Sequence, residues 1–215
     1  MAVSSMSHDQ SEEVGVSQLM DLARHGNNEA LGQMLQLYRN YLTILATTQL
    51  DRRLRRRVNP SDLVQDAMLA AHCDFGQFRG GTERELLAWL RQILINCLHH
   101  VIETHLRAKM RDMRREVSVE EMGEVLNRSA CNFTRMLADQ GPSPSAPVLQ
   151  RERAVALADQ LARLPAQYRD VIILRNLQGL SFNEVAERMD RKPGTVRMLW
   201  LRAIEKFKQI YEPID

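Results

Sequence analysis

The chain has 215 residues, 44% of them hydrophobic and 5% aromatic, with a net charge of +2. That is enough apolar material for one or two packed cores, and few aromatics suit small helical domains. The cysteines Cys73, Cys97 and Cys131 form no CxxC pair, and neither a secretory h-region nor a run of 18 apolar residues occurs. A disulfide framework, a cysteine-rich zinc site and membrane insertion are therefore not expected, and a cytoplasmic protein is.

Met1 to Val16 is rich in Ser, Gln and Glu without periodicity and reads as a disordered tail. From Ser17 the pattern becomes helical, with Leu19, Leu22 and Ala23 on one stripe. Gly26-Asn27-Asn28 breaks it, and a second helix, carrying Met34, Leu35, Tyr38 and Leu42, is predicted to continue to about Leu50. An arginine run, Arg52 to Arg57, follows; such runs are usually solvated faces and establish no partner alone.

Asn59-Pro60-Ser61-Asp62 has the composition of a helix start, with a cap residue, proline in the first turn and an acid near the positive end. Leu63, Val64, Ala67, Met68 and Ala71 form its apolar stripe, and Asp62, Gln65 and Asp66 project from other faces. Gly76, Gly80 and Gly81 then mark a loop around Phe78 and Arg79. Glu83 to about Lys109 is one long helical pattern through Leu86, Leu90, Ile93, Leu94, Cys97 and Leu98. Trp89 shares the stripe of Leu86 and Ile93 and reads as core. Cys97, His99, His100 and His105 cluster in sequence, but adjacent helical residues point about 100° apart. Only His100 shares a face with Cys97, so no metal or other cofactor is assigned.

Arg111 to Pro147 contains a second basic run and ends in Gly-Pro-Ser-Pro-Ser-Ala-Pro, the composition of a linker. Beyond it, Leu180 to Phe207 reads as two helices with a tight break. Phe182, Val185, Ala186 and Met189 form the first stripe, and Ser181 with Glu184 makes a capping box. Asp190 to Gly194 interrupts, and Val196, Leu199, Trp200, Ala203, Ile204 and Phe207 form the second stripe. Thr195, Arg197, Met198, Leu201 and Arg202 point outward, with Arg191 and Lys192 just before the helix. Guanidinium groups can reach guanine edges or phosphates, and apolar groups a thymine methyl, so this face suits a major-groove reader. The competing reading is an ordinary amphipathic pair with a solvated charged face.

NPSDLVQDAMLAAHCDFGQFRG followed by LLAWLRQILINCLHHVI resembles region 2 of the sigma-70 family of RNA polymerase sigma factors. LPAQYRDVIILRNLQGLSFNEVAERMDRKPGTVRMLWLRAIEKF resembles region 4. Their order, with no region 3 between, is similar to the extracytoplasmic-function (ECF) subgroup, and the likeness covers about two-thirds of the chain. The resemblance implies an all-α protein of two small helical domains, a region 2-like bundle and a region 4-like helix-turn-helix, joined by a flexible linker. The boundaries expected are a tail over 1–16, region 2 over 17–110, a linker over 111–150 and region 4 over 151–215.

It also implies roles. Asp62, Leu63, Gln65 and Asp66 match the family's core-polymerase-binding motif. Phe78, Arg79, Thr82, Arg84, Arg91, Asn96, His99 and His100 fall where the family melts and reads the −10 element, although the acids Glu83 and Glu85 and the histidines depart from its pattern. Arg191, Lys192, Thr195, Arg197, Met198, Leu201 and Arg202 fall where it contacts the −35 duplex. Implied partners are core RNA polymerase (β′ and β subunits) and promoter DNA, with an anti-sigma factor as a further candidate. No catalysis is implied. The alternative is a helix-turn-helix regulator that binds duplex DNA without opening it, which would have no need of the Asp62–Trp89 segment. A metal-dependent enzyme would need a third ligand beside Asp62 and Asp66, and the sequence offers none.

Overall fold

The computed structural model describes residues 15–50, 58–107 and 147–210, with the isolated positions Glu124, Arg128 and Ser129. Residues 1–14 of the tail expected over 1–16, most of the expected linker and the arginine run before Val58 lie outside the described residues; Val16, expected in that tail, already opens the first helix. Among the described residues every regular element is helical.

α1 (Val16–Arg24) buries Leu19, Met20 and Ala23. Gly26, at φ +88°, turns the chain in a conformation that side-chain-bearing residues rarely adopt. The Asn27 side chain then accepts from the Ala30 N–H at 3.0 Å and starts α2 (Asn28–Leu37). The single helix expected to reach Leu50 is in fact two. Tyr38, at φ −95° and ψ −2°, ends α2, and α3 (Arg39–Gln49) begins at once. At the break the Tyr38 N–H bonds back three residues to the Leu35 carbonyl at 3.1 Å, and its buried ring is tied by its hydroxyl, which donates to Glu83 Oε1 at 2.9 Å, a partner 45 residues away. Periodicity does not register such a kink, because the apolar spacing continues through it.

α3 is buried almost all round, through Tyr41, Leu42, Ile44, Leu45, Ala46, Thr47 and Thr48, as expected of a central helix. Its buried hydroxyls are satisfied locally: Thr47 donates to the Thr43 carbonyl and Thr48 to the Leu45 carbonyl, each at 2.7 Å. α4 (Pro60–Asp74) starts with Asn59 accepting from the Ser61 N–H at 3.1 Å and proline in its first turn. A short 3₁₀ turn (Phe75–Gln77) leads through the glycine loop to α5 (Glu83–Arg107). α4 packs on α3 and α5.

The second half begins with α6 (Pro147–Ala162), followed by α7 (Ala166–Ile172) and a π turn (Ile173–Leu177). The Gln178 N–H reaches back five residues to the Ile173 carbonyl at 3.0 Å. α8 (Phe182–Met189) and α9 (Pro193–Ile210) complete the fold. α6 and the π turn rest on α3, so the two halves share one continuous core. Polar clasps flank this contact: Asn40 Nδ2 donates to Asp159 Oδ1 at 2.8 Å, and the Gln178 amide donates to the Thr48 carbonyl. No helix of the described residues is long and apolar enough to cross a membrane.

Candidate nucleic-acid interface

The helix-turn-helix is set by its caps. Ser181 Oγ accepts from the Glu184 N–H at 3.3 Å, and Glu184 Oε2 accepts from the Ser181 N–H at 2.7 Å. These bonds hold the Glu184 carboxyl below the usual glutamate range, the Ser181 side chain contributing most and its backbone N–H next. α8 ends at Asp190, whose left-handed backbone (φ 55°, ψ 50°) lets the Arg191 N–H return to the Ala186 carbonyl at 2.9 Å. Pro193 then opens α9. Val196, Leu199, Ala203 and Phe207 face inward, so Thr195, Arg197, Met198, Leu201 and Arg202 all lie on the exposed face, as the sequence predicts. Met198 and Leu201 are 53% and 49% exposed, unusual for large apolar groups. Arg191 and Lys192 are exposed at the helix entrance.

Two features of this face escape periodicity. A cleft of about 480 Å³ runs between α7 and α9, with Gln167 and Tyr168 facing Arg191, Thr195, Met198 and Arg202. Arg191 Nη2 approaches Gln167 Oε1 at 3.4 Å across it. The second feature is the Phe182 ring, which lies under the Arg197 guanidinium with 5.3 Å from Cζ to the centroid. Residues so far apart in sequence leave no periodic signal of either contact.

In the first half, Asp62, Gln65 and Asp66 form an exposed edge of α4, and Leu69, 66% exposed, extends it by one turn. Leu63 does not join them: it is 1% exposed and belongs to the core beneath. Across the α4–α5 contact, burial first and the Asp66 charge second push the Cys97 thiol above its usual range. A thiol so placed is a poor nucleophile.

The glycine loop is more rigid than its composition suggests. Phe78 is buried, with its ring centroid 5.8 Å from that of Phe75 and 5.0 Å from that of Trp89. As placed, that ring anchors the loop and is not presented to a base. The Gly80 backbone lies directly on it: a Cβ there would sit 2.5 Å from Phe78 Cζ and 2.6 Å from Glu85 Cβ. The Gly80 carbonyl accepts from the Arg24 guanidinium of α1. Thr82 caps α5, its N–H and hydroxyl donating to Glu85 Oε2 at 3.1 and 2.9 Å, while the Gly81 N–H donates to the same oxygen at 2.8 Å. The Thr82 side chain contributes most to holding the Glu85 carboxyl below its usual range, followed by the Gly81 and Thr82 N–H groups. The departure from the family's pattern at Glu85 thus has a local cause, a helix cap.

Arg79 and Arg84 remain exposed on this braced loop and the first turn of α5. Asn96 and His100 continue an exposed line along α5, and Asn96 Oδ1 accepts from Gln92 at 3.1 Å. Arg91 is half-buried and donates to the Tyr41 hydroxyl at 3.2 Å, and His99 Nδ1 lies 3.7 Å from a Glu103 oxygen. The described residues contain no group of His, Cys, Asp and Glu arranged to hold a metal ion.

The Sigma-70, region 4 family model matches residues 154–207, from α6 into α9. The ECF RNA polymerase sigma-E factor of Haemophilus influenzae is 27% identical over 198 residues, 91% of this chain and 95% of that protein. The ECF RNA polymerase sigma factor SigM of Mycobacterium tuberculosis is 29% identical over 85% of this chain and 78% of its own length. A solved RsbN–BldN complex is matched at 22% identity, over 89% of this chain and 99% of that one, with a TM-score of 0.30. The region 4 match falls on the helix-turn-helix with its exposed basic face, and the relatives extend over both helical halves. Residues 154–207 thus match Sigma-70 region 4, and over most of its length the chain is similar to ECF RNA polymerase sigma factors.

Proposed function

We propose that this protein is a transcription initiation factor that binds core RNA polymerase, recognises −35 and −10 promoter elements and promotes DNA melting, without catalysis of its own. The observation that carries the reading is the pairing, in one chain, of a region 4 helix-turn-helix with the α4–α5 unit, aligned along nearly the whole of named sigma factors. The exposed α4 edge, Asp62, Gln65 and Asp66, is the surface for polymerase, and its carboxylates complement a basic partner. α9 enters the −35 major groove with Arg197 and Arg202, while Arg191, Lys192 and Thr195 hold phosphates at its start. The braced loop and the exposed line of α5 take the −10 strand, through Arg79, Arg84, Asn96 and His100. Its place of action is the cytoplasm, where polymerase and promoter meet.

Permanganate footprinting of promoter DNA with purified core polymerase, with and without this protein, tests the proposal. Reactive unpaired thymines that need both components are the expected result. Duplex protection by the protein alone, with no reactive thymines when core is added, would make it a regulator that does not open DNA.

A further inference from the structure

Arg197 is an exposed side chain on a solvent-facing helix, yet it is not left to wander. Its guanidinium lies 5.3 Å from the Phe182 centroid, within cation–π range. Phe182 is itself fixed from two sides. Trp200 meets it edge-on, with centroids 5.7 Å apart at 74°, and Trp200 Nε1 donates to Asn176 Oδ1 at 3.0 Å. Arg175 lies 5.0 Å from the same centroid and donates to the Leu180 carbonyl at 2.9 Å. A relay thus runs from the π turn, through Trp200 and Phe182, to the tip of Arg197. Among the described residues no carboxylate is ion-paired with Arg197, so the guanidinium is oriented without its charge being spent.

We propose that Phe182 is a positioning residue for promoter recognition: its ring pre-orients the Arg197 guanidinium for the −35 major groove. This rests on the reading of Arg197 as a base contact. An exposed arginine surrenders much of its rotamer freedom when its fork meets a base edge, and a guanidinium already stacked on a ring has less to lose. Arg175 completes the device by holding the ring and by adding positive potential, which favours an anionic partner such as duplex DNA over a second protein cation.

The test uses the full chain assembled with core RNA polymerase. Wild type selects a preferred duplex from a pool randomised across the upstream element. Affinities for that duplex and for an unrelated one are then measured for Phe182→Leu, Phe182→Tyr, Arg197→Ala and the double variant Phe182→Leu/Arg197→Ala. Phe182→Leu is expected to weaken the selected duplex roughly tenfold, the value of one good side-chain–base contact. Preference should flatten at the base pairs that Arg197→Ala also affects, and affinity for the unrelated duplex should hold. Phe182→Tyr, which keeps the ring, should bind as wild type does. In the Arg197→Ala background Phe182→Leu should add nothing. Losses that simply add, or that fall equally on both duplexes, would overturn the positioning role while leaving Arg197 a reader. If Arg197→Ala itself changed neither affinity nor preference, the reader assignment and this proposal would fall together.

Discussion

Single residues here are asked to do sharply different things, and burial sorts them. Leu63 and Asp62 are neighbours in sequence, yet one is core and the other exposed. Asp62→Lys with Asp66→Lys should therefore leave the fold intact, with unchanged helicity by circular dichroism. It should still weaken association with core polymerase well over tenfold, because like charges would then face each other; a binding titration checks this. Gly80 is the opposite case, a residue whose value lies in what it lacks. Gly80→Ala would force a carbon to within 2.5 Å of the Phe78 ring and 2.6 Å of Glu85 Cβ. Shifting ring or loop should cost about 1–3 kcal/mol, seen as a lower midpoint in thermal unfolding. Because the shifted loop carries Arg79, strand capture should weaken as well.

At the scale of elements, two helices begin with the same device. Thr82–Glu85 opens α5 and Ser181–Glu184 opens α8. In each the folded state lowers the carboxyl below the ordinary value of 4.5, so the unfolded chain takes up protons first as pH falls. The cap contributions are fully present above that value and are lost as pH drops through the lower folded value. Both helix starts should therefore fray below about pH 4.5. Amide protection factors at Gly81, Thr82 and Ser181, followed against pH, should fall in that window, and Glu85→Gln should remove that pH-dependent change in protection at the first two. The Ser181–Glu184 cap was legible in sequence because three-residue spacing before an apolar run is a local signal, and the stripes of α4, α5, α8 and α9 were legible for the same reason. The Tyr38 kink, the cap at Glu85 and the Phe182–Arg197 stack were not. The kink and the stack involve partners in other elements, and Glu85 was read as an acid near DNA rather than as a helix cap.

At the scale of the whole molecule, α6 and the π turn lie directly on α3. The −10 and −35 elements are named about 25 base pairs apart, or roughly 85 Å along a duplex. A compact chain of this length has a radius of gyration of only about 17 Å. Occupying both elements therefore requires the α3 contact to part. Asp159→Lys with Gln178→Ala removes the side chains that make its two clasps, at Asn40 and Thr48. This variant should elute from a sizing column with a larger hydrodynamic radius at unchanged helicity. Assembled with core polymerase, it should also bind promoter DNA at least as tightly as wild type, since less of the population must be opened first.

The α3 contact has a further consequence because its two sides belong to one chain. Each faces the other at an effective concentration set by the length of chain between them, rather than by the amount of protein in the cell. Dilution does not release it, and neither does a fall in expression. A partner that binds the parted chain better than the closed one shifts the balance. Opening is therefore governed by how much of such a partner is free.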